Sequence, residues 1–107
     1  MPARGYRGPV LVAFSVAPSV SGPDGSVSDA VAEVVALVRA SGLPNRTDSM
    51  FTTVEGDWDE CMDLVRRCVD LLAERSPRVS LVLKADIRPG HTGQLTAKVR
   101  RVDDLLG

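Results

Sequence analysis

The chain has 107 residues, of which 44% are hydrophobic and 25% are charged, and its formal net charge is −1. That length supports one hydrophobic core and therefore one domain, residues 1–107. The near-neutral charge gives no reason to expect binding to nucleic acid or to an anionic membrane, and no apolar run is long enough to span a bilayer. We expect residues 1–8 to be flexible. Because the apolar run that follows them is too short for a secretory signal, we also expect a cytoplasmic protein.

The first quarter of the chain predicts a strand and then a helix. Val10–Ala17 is apolar and rich in β-branched residues, which is typical of a strand. Ser19–Gly25 is rich in Ser, Pro and Gly and predicts a loop. A helix follows, capped by Ser26 or Ser28, and its apolar residues recur at helical spacing until Ser41-Gly42 ends it.

The middle of the chain predicts a second strand and a second helix. Thr47–Glu55 contains Thr, Phe, Met and Val and is bounded by glycine, so it predicts a strand. Asp57 and Glu60 have the spacing of a capping box at the start of the next helix. That helix is expected to end at Ser76-Pro77.

The two cysteines, Cys61 and Cys68, lie seven residues apart in this second helix. Their backbones would be about 10 Å apart, which is beyond the range of a disulfide. They share a helix face, so we interpret them as small buried hydrophobic residues. With only one histidine in the chain, a structural zinc site is not expected.

The segment Arg78–Arg88 predicts a strand whose two faces differ, because successive side chains point to opposite sides. One face is apolar and carries Val79, Leu81, Leu83, Ala85 and Ile87. The other face is mixed and carries Ser80, Val82, Lys84 and Asp86. A turn at Pro89–Gly93 and a last strand from about Leu95 to Val102 follow, and Asp103–Gly107 is read as a tail or a terminal helical turn.

We interpret this set of four strands and two helices as an α+β, ferredoxin-like βαββαβ sandwich. Its four-stranded antiparallel sheet would carry both helices on one face. The other face would stay uncovered and would receive Leu11, Ala13 and Ser15 from the first strand and Thr96, Lys98 and Arg100 from the last. This mixed surface suits sheet-to-sheet association with another subunit and could line a pocket at its edge.

Five segments follow one another along nearly the whole chain: Phe14–Pro18, Ser26–Ser28, Met50–Asp57, Leu83–Arg88 and Lys98–Val102. Together they resemble the small thiamine-binding proteins of the YkoF-like superfamily. The resemblance implies a ferredoxin-like fold, assembly into dimers that pair into tetramers through sheet faces, and binding of thiamine or its hydroxymethylpyrimidine portion without catalysis. Phe51 is a departure, since the family usually has a glycine at that place.

Thiamine combines a flat aminopyrimidine with a permanently charged thiazolium. A binder therefore needs carboxylates, hydroxyls and an apolar slot, for which Phe51, Met50 or Trp58 could supply ring contacts. The candidate ligand-binding residues are Ser15, Ser28, Thr52, Glu55, Lys84 and Asp86. No catalytic residue, metal site or cofactor is expected, and thiamine would be the ligand.

Several of these residues also have a structural explanation. Asp86 could form a solvated ion pair with Lys84 or with Lys98, and such pairs stabilise little. Ser28 could only cap its helix, and Glu55 could only lie near the N-terminus of the next one. Thr52 and Glu55 differ in strand parity, so both reach one pocket only if the chain bends.

Three other functions are compatible with the same topology. An acylphosphatase-like enzyme would need an arginine in the loop after the first strand, but Ser19–Ser26 contains none and has Asp24 instead. A regulatory module that senses another small metabolite stays open, because this fold serves many functions. A structural oligomer without a ligand stays open as well.

Overall fold

The structure is a computed structural model that describes residues 5–19 and 28–107, without the side chain of Ser28. Its elements, in chain order, are β1 (Pro9–Pro18), α1 (Ser28–Ala40), β2 (Asn45–Thr47), β3 (Thr52–Asp57), α2 (Trp58–Ala73), β4 (Val79–Ile87) and α3 (Gln94–Leu106). The expected loop after β1 and the cap at Ser26 lie outside the described residues, apart from Ser19.

The four strands form one antiparallel sheet in the order β2-β3-β1-β4. β1 is central: it pairs with β3 from Pro9 to Phe14 and with β4 from Val10 to Pro18. The two crossover helices α1 and α2 pack on one side of this sheet. This is the ferredoxin-like α+β sandwich predicted from the sequence.

The core lies between the sheet and these two helices. Val10, Val12 and Phe14 alternate along β1 and are almost completely buried, as predicted. The helices meet them with apolar residues spaced three and four apart, a pattern that places them on one helix face. The buried partners from the helices are Ala30, Val34, Val38, Cys61, Leu64, Val65, Cys68 and Leu72, and Val54 of β3 completes the core. Burying each large side chain stabilises the fold by about 1.5–3 kcal/mol.

The single strand predicted over Thr47–Glu55 is wrong, because this region forms a hairpin of two strands. β2 ends at Thr47 and β3 begins at Thr52. The loop between them is closed by the N–H of Asp48, which donates to the carbonyl of Phe51 at 2.9 Å. Asp and Ser favour turns because their side chains bond to nearby backbone groups. The pair Asp48-Ser49 was therefore a turn signal inside a segment of strand-like composition.

The strand predicted from Leu95 to Val102 is also wrong, because these residues belong to helix α3. The apolar residues Leu95, Val99, Val102 and Leu106 are spaced four, three and four apart, which is the helical period. The short alternation around Val99 resembles a strand only over a few residues. The fourth strand of the sheet is β2, and Thr96, Lys98 and Arg100 do not extend the sheet.

The helix ends follow the sequence only in part. Gly42 has a φ of 79°, the left-handed conformation that glycine adopts freely, and it follows α1 as predicted. Asp57 is the residue before α2, but its side chain makes no capping hydrogen bond, so the predicted capping box is wrong. The acidic residues Asp59 and Glu60 of the first turn still have the sign that the helix dipole favours.

The N-terminal segment contacts the fold from Tyr6 onward. The rings of Tyr6 and Trp58 meet edge to face, with 6.4 Å between their centroids. The Tyr6 hydroxyl donates to the carbonyl of Pro9 at 2.7 Å. The carbonyl of Gly8 accepts a hydrogen bond from the N–H of Trp58 at 3.0 Å. Trp58 thus packs against Tyr6 in the first turn of α2, while the flexibility of residues 1–8 stays a prediction.

The side of the sheet away from α1 and α2, here called the open face, is largely uncovered. It is defined by the residues Leu11, Ala13, Ser15, Ala17, Thr53, Glu55, Ser80, Val82, Lys84 and Asp86. The side chain of Val82, for example, is 55% exposed. Helix α3 contacts this face only near Glu55 and Asp86, and none of its own residues is buried.

Candidate functional site

A cleft of about 200 Å³ opens where the β2–β3 hairpin meets the end of β1 and the first turns of α1. We call it the hairpin cleft. Its described lining is mainly apolar, and its polar side chains include the strand hydroxyls of Thr47 and Thr52 and the carboxylate of Asp48. The lining residues are Phe14, Ser15, Val16, Ala17, Val31, Val34, Val35, Thr47, Asp48, Ser49, Met50, Phe51 and Thr52.

The cleft exists because β1 is longer than its neighbour β3. Their pairing ends at Phe14 and Thr52, whereas β1 continues to Pro18 alongside β4. Beyond Phe14 the edge of β1 that faces the hairpin therefore has no partner strand among the described residues, and Val16 directs its N–H and C=O to that edge because Ser15 and Ala17 bond to β4. Backbone N–H and C=O groups on such an edge are available to a ligand.

Two of the predicted site residues, Ser15 and Thr52, line this cleft, Ser15 along the edge of β1 and Thr52 on the side of the sheet that faces the helices. Thr52 is 7% exposed, and its hydroxyl lies 3.2 Å from the hydroxyl of Thr47 across the hairpin. A hydroxyl that is held by one neighbour keeps a second hydrogen-bonding position for another partner. Because Ser15 and Thr52 belong to different strands, only the sheet register brings them together.

The hairpin loop adds groups that sequence reasoning missed. Asp48, an exposed residue, lines the cleft beside Ser49, and both lie in the loop that was taken for the middle of a strand. Phe51 is half-buried there, while Met50 is 76% exposed. Both residues line the cleft, and their role as ring contacts stays a prediction.

The two predicted carboxylates, Glu55 and Asp86, lie at the opposite end of β1, on the open face. Glu55 is opposite Leu11 in β1, which in turn is opposite Asp86 in β4, so the three side chains form one row across the sheet. Thr52 faces the helices and Glu55 the open face, as their difference in parity requires. The predicted set is therefore divided between two places.

Glu55 is fully engaged with helix α3. It is 7% exposed, and its two carboxylate oxygens accept hydrogen bonds from the backbone N–H groups of Gln94, at 2.9 Å, and Leu95, at 3.1 Å. The residue before the helix, Gly93, has no side chain that could cap these groups. Glu55 thus supplies the missing N-terminal cap from a distant part of the chain, and its charge suits the positive end of the helix dipole.

Asp86 is paired with Lys98 of α3, as one of its structural explanations anticipated. The hydrogen bond from Lys98, then the charge of that lysine, hold the pKa of Asp86 below its ordinary value, and the charges of Arg88 and Lys84 act in the same direction. These groups border a shallow hollow of about 160 Å³ that is lined by Leu11, Ala13, Lys84, Asp86 and Lys98. Lys84 is exposed on its rim.

Ser28 is the first residue of α1, in the cap region that was expected for it, and its side chain lies outside the described atoms. Two of the six predicted residues therefore lie in the hairpin cleft and three at the Glu55 end of the open face, while the place of the Ser28 side chain stays a prediction.

The remaining potentially reactive side chains lie outside the cleft. Cys61 and Cys68 are free and completely buried, as predicted. Burial raises the pKa of each thiol to about 11, and for Cys61 the charges of Glu60, Asp57 and Glu55 add to the effect. His91 is exposed in the turn after β4, beside the carbonyl of Pro89. Within residues 5–19 and 28–107, no three potential metal ligands lie together.

None of the helices in the described part of the chain combines the length and apolar character that crossing a bilayer requires.

Residues 12–103 match a family of proteins described as thiamine-binding protein. This match covers the whole sheet except the first residues of β1, together with the cleft and most of α3. The chain belongs to this thiamine-binding protein family. The resemblance seen in the sequence is thereby confirmed.

Other members extend the comparison. The chain is 52% identical over 98 residues to the UPF0045 proteins Mb1933 of Mycobacterium bovis and MT1949 of Mycobacterium tuberculosis, which covers 91% of this chain and 94% of each relative.

Two solved structures have the same fold as this member of the thiamine-binding protein family. The hypothetical protein MJ1052 of Methanocaldococcus jannascii matches with a TM-score of 0.80 and 25% identity, over 90% of this chain and 97% of that one. A candidate thiamine biosynthesis/salvage protein of Thermotoga maritima, TM0486, matches with a TM-score of 0.72 and 26% identity, over 87% of this chain and 99% of that one.

Proposed function

We propose that this protein binds thiamine, or its hydroxymethylpyrimidine portion, in the hairpin cleft and releases it unchanged. The observation that carries the proposal is the composition of that cleft, which unites an apolar slot, strand hydroxyls and a carboxylate in one lining. Membership of the thiamine-binding protein family supports the class of ligand, and so does the likeness to the thiamine biosynthesis/salvage candidate of Thermotoga maritima.

The cleft favours the smaller part of the ligand. Its volume of about 200 Å³ is below the ~300–1,000 Å³ that is usual for sites that enclose drug-sized molecules. A single pyrimidine ring with its substituents is therefore the better match within one chain. The thiazolium of intact thiamine would extend toward the mouth of the cleft, where Asp48 supplies a negative charge.

The available hydrogen-bonding groups suit an aminopyrimidine. Such a ring has neighbouring donor and acceptor atoms on its edge, and Val16 offers one backbone N–H and one C=O on the unpaired edge of β1. Thr52 adds a hydroxyl that Thr47 holds in place. The apolar residues, Phe51 among them, would contact the faces of the ring.

Binding without conversion is supported by the chemistry of the lining. It contains no histidine, cysteine or lysine among its described residues, so its hydroxyls have no base except the exposed Asp48. The thiols of the chain are buried elsewhere and are protonated at neutral pH. Two free cysteines also suit the reducing cytoplasm, which we retain as the location.

Assembly through the open face is part of the proposal, as a dimer or a tetramer. The face combines exposed apolar residues such as Val82 with hydroxyls and only a few charges. An apolar surface of this kind marks an interaction site more often than a free surface. Size-exclusion chromatography with light scattering checks it, and a monomer at micromolar concentration would contradict it.

The ligand proposal is tested by calorimetric titration of the purified protein with thiamine, hydroxymethylpyrimidine and a panel of amino acids. Thr52→Val keeps the shape of the side chain but removes the hydroxyl. We expect it to weaken pyrimidine binding by about 5- to 100-fold, the equivalent of one buried hydrogen bond. Asp48→Asn should weaken thiamine more than the uncharged pyrimidine.

The matched control is Asp86→Asn, which alters a carboxylate at the other end of the sheet. Asp86→Asn should leave the dissociation constant for the pyrimidine unchanged within about twofold. The comparison requires that Asp86→Asn and Thr52→Val both have the melting temperature of the parent protein. If Asp86→Asn weakened pyrimidine binding and Thr52→Val did not, the result would assign the binding site to the hollow beside Lys84. The absence of heat with every pyrimidine would leave the metabolite-sensing and structural alternatives.

A further inference from the structure

We propose that the hollow beside Lys84 is a second binding site, which takes a small phosphorylated molecule and thereby holds helix α3 against the sheet. The hollow has a volume of about 160 Å³ and is lined by Leu11, Ala13, Lys84, Asp86 and Lys98. It shares no lining residue with the hairpin cleft. All of these residues belong to one chain, so the proposal rests on neither the proposed thiamine ligand nor the proposed assembly.

Three elements build the hollow. Its base is the open face of β1, where Leu11 and Ala13 are two residues apart and therefore point to the same side. In β4, Lys84 is opposite Ala13 and Asp86 is opposite Leu11. Helix α3 supplies Lys98, whose ammonium group is paired with Asp86. The hollow is therefore complete only while α3 is docked on the sheet.

The charges at the hollow are mostly positive. Lys84 and Lys98 line it, and Arg88 borders the adjoining space between Leu11 and Asp86. The hydrogen bond and the charge of Lys98, and then the charges of Arg88 and Lys84, lower the pKa of Asp86, so all three cations are near this carboxylate. Three cations thus surround one carboxylate of the lining.

Two of these cations are left for a ligand. Lys98 is paired with Asp86, whereas neither Lys84 nor Arg88 forms a salt bridge with any residue that the structure describes. The next carboxylate, that of Glu55, is 7% exposed, and both of its oxygens accept backbone N–H groups of α3. A concave surface with a surplus of one charge sign concentrates ions of the opposite sign, so this hollow attracts anions.

The charge and the base of the hollow favour a phosphate monoester. At neutral pH such a group carries about −1.5 to −2 charges, which matches two unpaired cations, whereas a carboxylate carries only one. Lysine is a frequent partner of phosphate because its ammonium group is a compact charge with three donors. Leu11 and Ala13 would contact an apolar part of the same molecule.

The ligand would connect the sheet to α3. Because an ammonium group has three N–H donors, Lys98 can keep its bond to Asp86 while it donates to a phosphate oxygen. A ligand that binds only the docked form of α3 makes detachment rarer by the factor 1 + [L]/Kd. At a ligand concentration ten times the dissociation constant, α3 should therefore detach about tenfold less often.

Calorimetry tests the site with phenyl phosphate, inorganic phosphate and benzoate as probes. We expect phenyl phosphate to bind more tightly than inorganic phosphate, because its ring contacts the apolar base of the hollow. It should also bind more tightly than benzoate, because it carries more negative charge. Equal affinity for benzoate would overturn the assignment to a phosphate ester, and the absence of binding by all three probes would overturn the site.

Lysine variants locate the binding. Lys84→Gln removes a cation that lies outside α3, and we expect it to weaken phenyl phosphate binding by at least about fivefold. Lys84→Arg keeps the charge and should restore the affinity. The matched control is Arg46→Gln, an equal change of charge on β2, three strand spacings or about 14 Å from β4.

At an ionic strength of about 0.1 M, charges more than ~10 Å apart are largely screened, so Arg46→Gln should leave the affinity unchanged within about twofold. Equal weakening by Lys84→Gln and Arg46→Gln would mean that only the net charge of the protein matters, and it would overturn the site.

Hydrogen exchange measures the effect on α3. Phenyl phosphate at ten times its dissociation constant should slow the exchange of amides 97–101 about tenfold in the parent protein. The effect should be lost in Lys98→Gln. Unchanged exchange in the ligand-bound parent protein would overturn the link to α3. Because these readouts use neither thiamine nor a pyrimidine, their failure would leave the hairpin cleft proposal untouched.

Discussion

Helix α3 is expected to depend on a single distant carboxylate, that of Glu55. This side chain accepts the N–H groups of Gln94 and Leu95, while the preceding Gly93 offers no cap. The helix has 13 residues and no buried side chain. Isolated helices of this length are marginal in water, so its cap and its few contacts decide whether it forms.

The perturbation is Glu55→Ala. Loss of an N-terminal cap costs about 0.5–2 kcal/mol, and loss of a negative charge at the helix N-terminus costs about 0.3–1 kcal/mol. We expect the free energy of opening α3 to fall by about 2 kcal/mol, which is close to a 30-fold change in the opening equilibrium. Glu55→Gln keeps one acceptor oxygen and should lose about half as much.

The assay is native-state hydrogen exchange, which measures opening segment by segment. Amides of residues 97–101 in α3 should exchange about 30-fold faster in Glu55→Ala. Core amides in β1 and α2 should change much less, because α3 can detach without exposing the core. Glu60→Ala, which removes an exposed acidic residue of α2, is the matched control and should leave α3 unaffected.

Two results would refute this reasoning. Unchanged protection of α3 in Glu55→Ala would mean that the cap does not hold the helix. Equal loss of protection in α3 and in the core strands would mean that α3 is part of the cooperative core.

The remaining predictions concern the core and the cleft. The thiols of Cys61 and Cys68 have a pKa raised from 9.0 to about 11, so the unfolded chain ionises first. The free energy of unfolding, measured by urea titration, should be constant below pH 9. It should fall between pH 9 and 11 by at most about 1.4 kcal/mol per pH unit for each thiol. The double variant Cys61→Ala/Cys68→Ala should lose this pH dependence. In Gly56→Ala, the new Cβ would lie 3.0 Å from a methyl group of Leu43. We expect a loss of about 1 kcal/mol, and a double-mutant cycle with Leu43→Ala should show that the two changes are coupled. Phe51→Gly should enlarge the cleft and improve the affinity for intact thiamine relative to hydroxymethylpyrimidine in calorimetry; an unchanged ratio would place Phe51 outside the binding pocket.

The sequence predicted those parts of the fold that depend on local pattern over many residues. The alternation in β1 and the helical spacing in α1 and α2 are long enough to reveal which faces are buried. The same reasoning failed where the pattern was short. Asp48-Ser49 signals a turn through two residues only, and α3 begins with a few residues whose alternation imitates a strand.

Which side chains meet was decided by the tertiary structure. Ser15 and Thr52 share a cleft because β1 extends past the end of β3, a fact of register that composition does not contain. Glu55 and Gln94 are 39 positions apart in the chain, and only the docking of α3 turns Glu55 into a helix cap. Local sequence specifies the secondary structure and the buried faces through the periodicity of apolar side chains. The contents of each pocket depend on contacts between distant residues, which form only when the strands align and the helices pack.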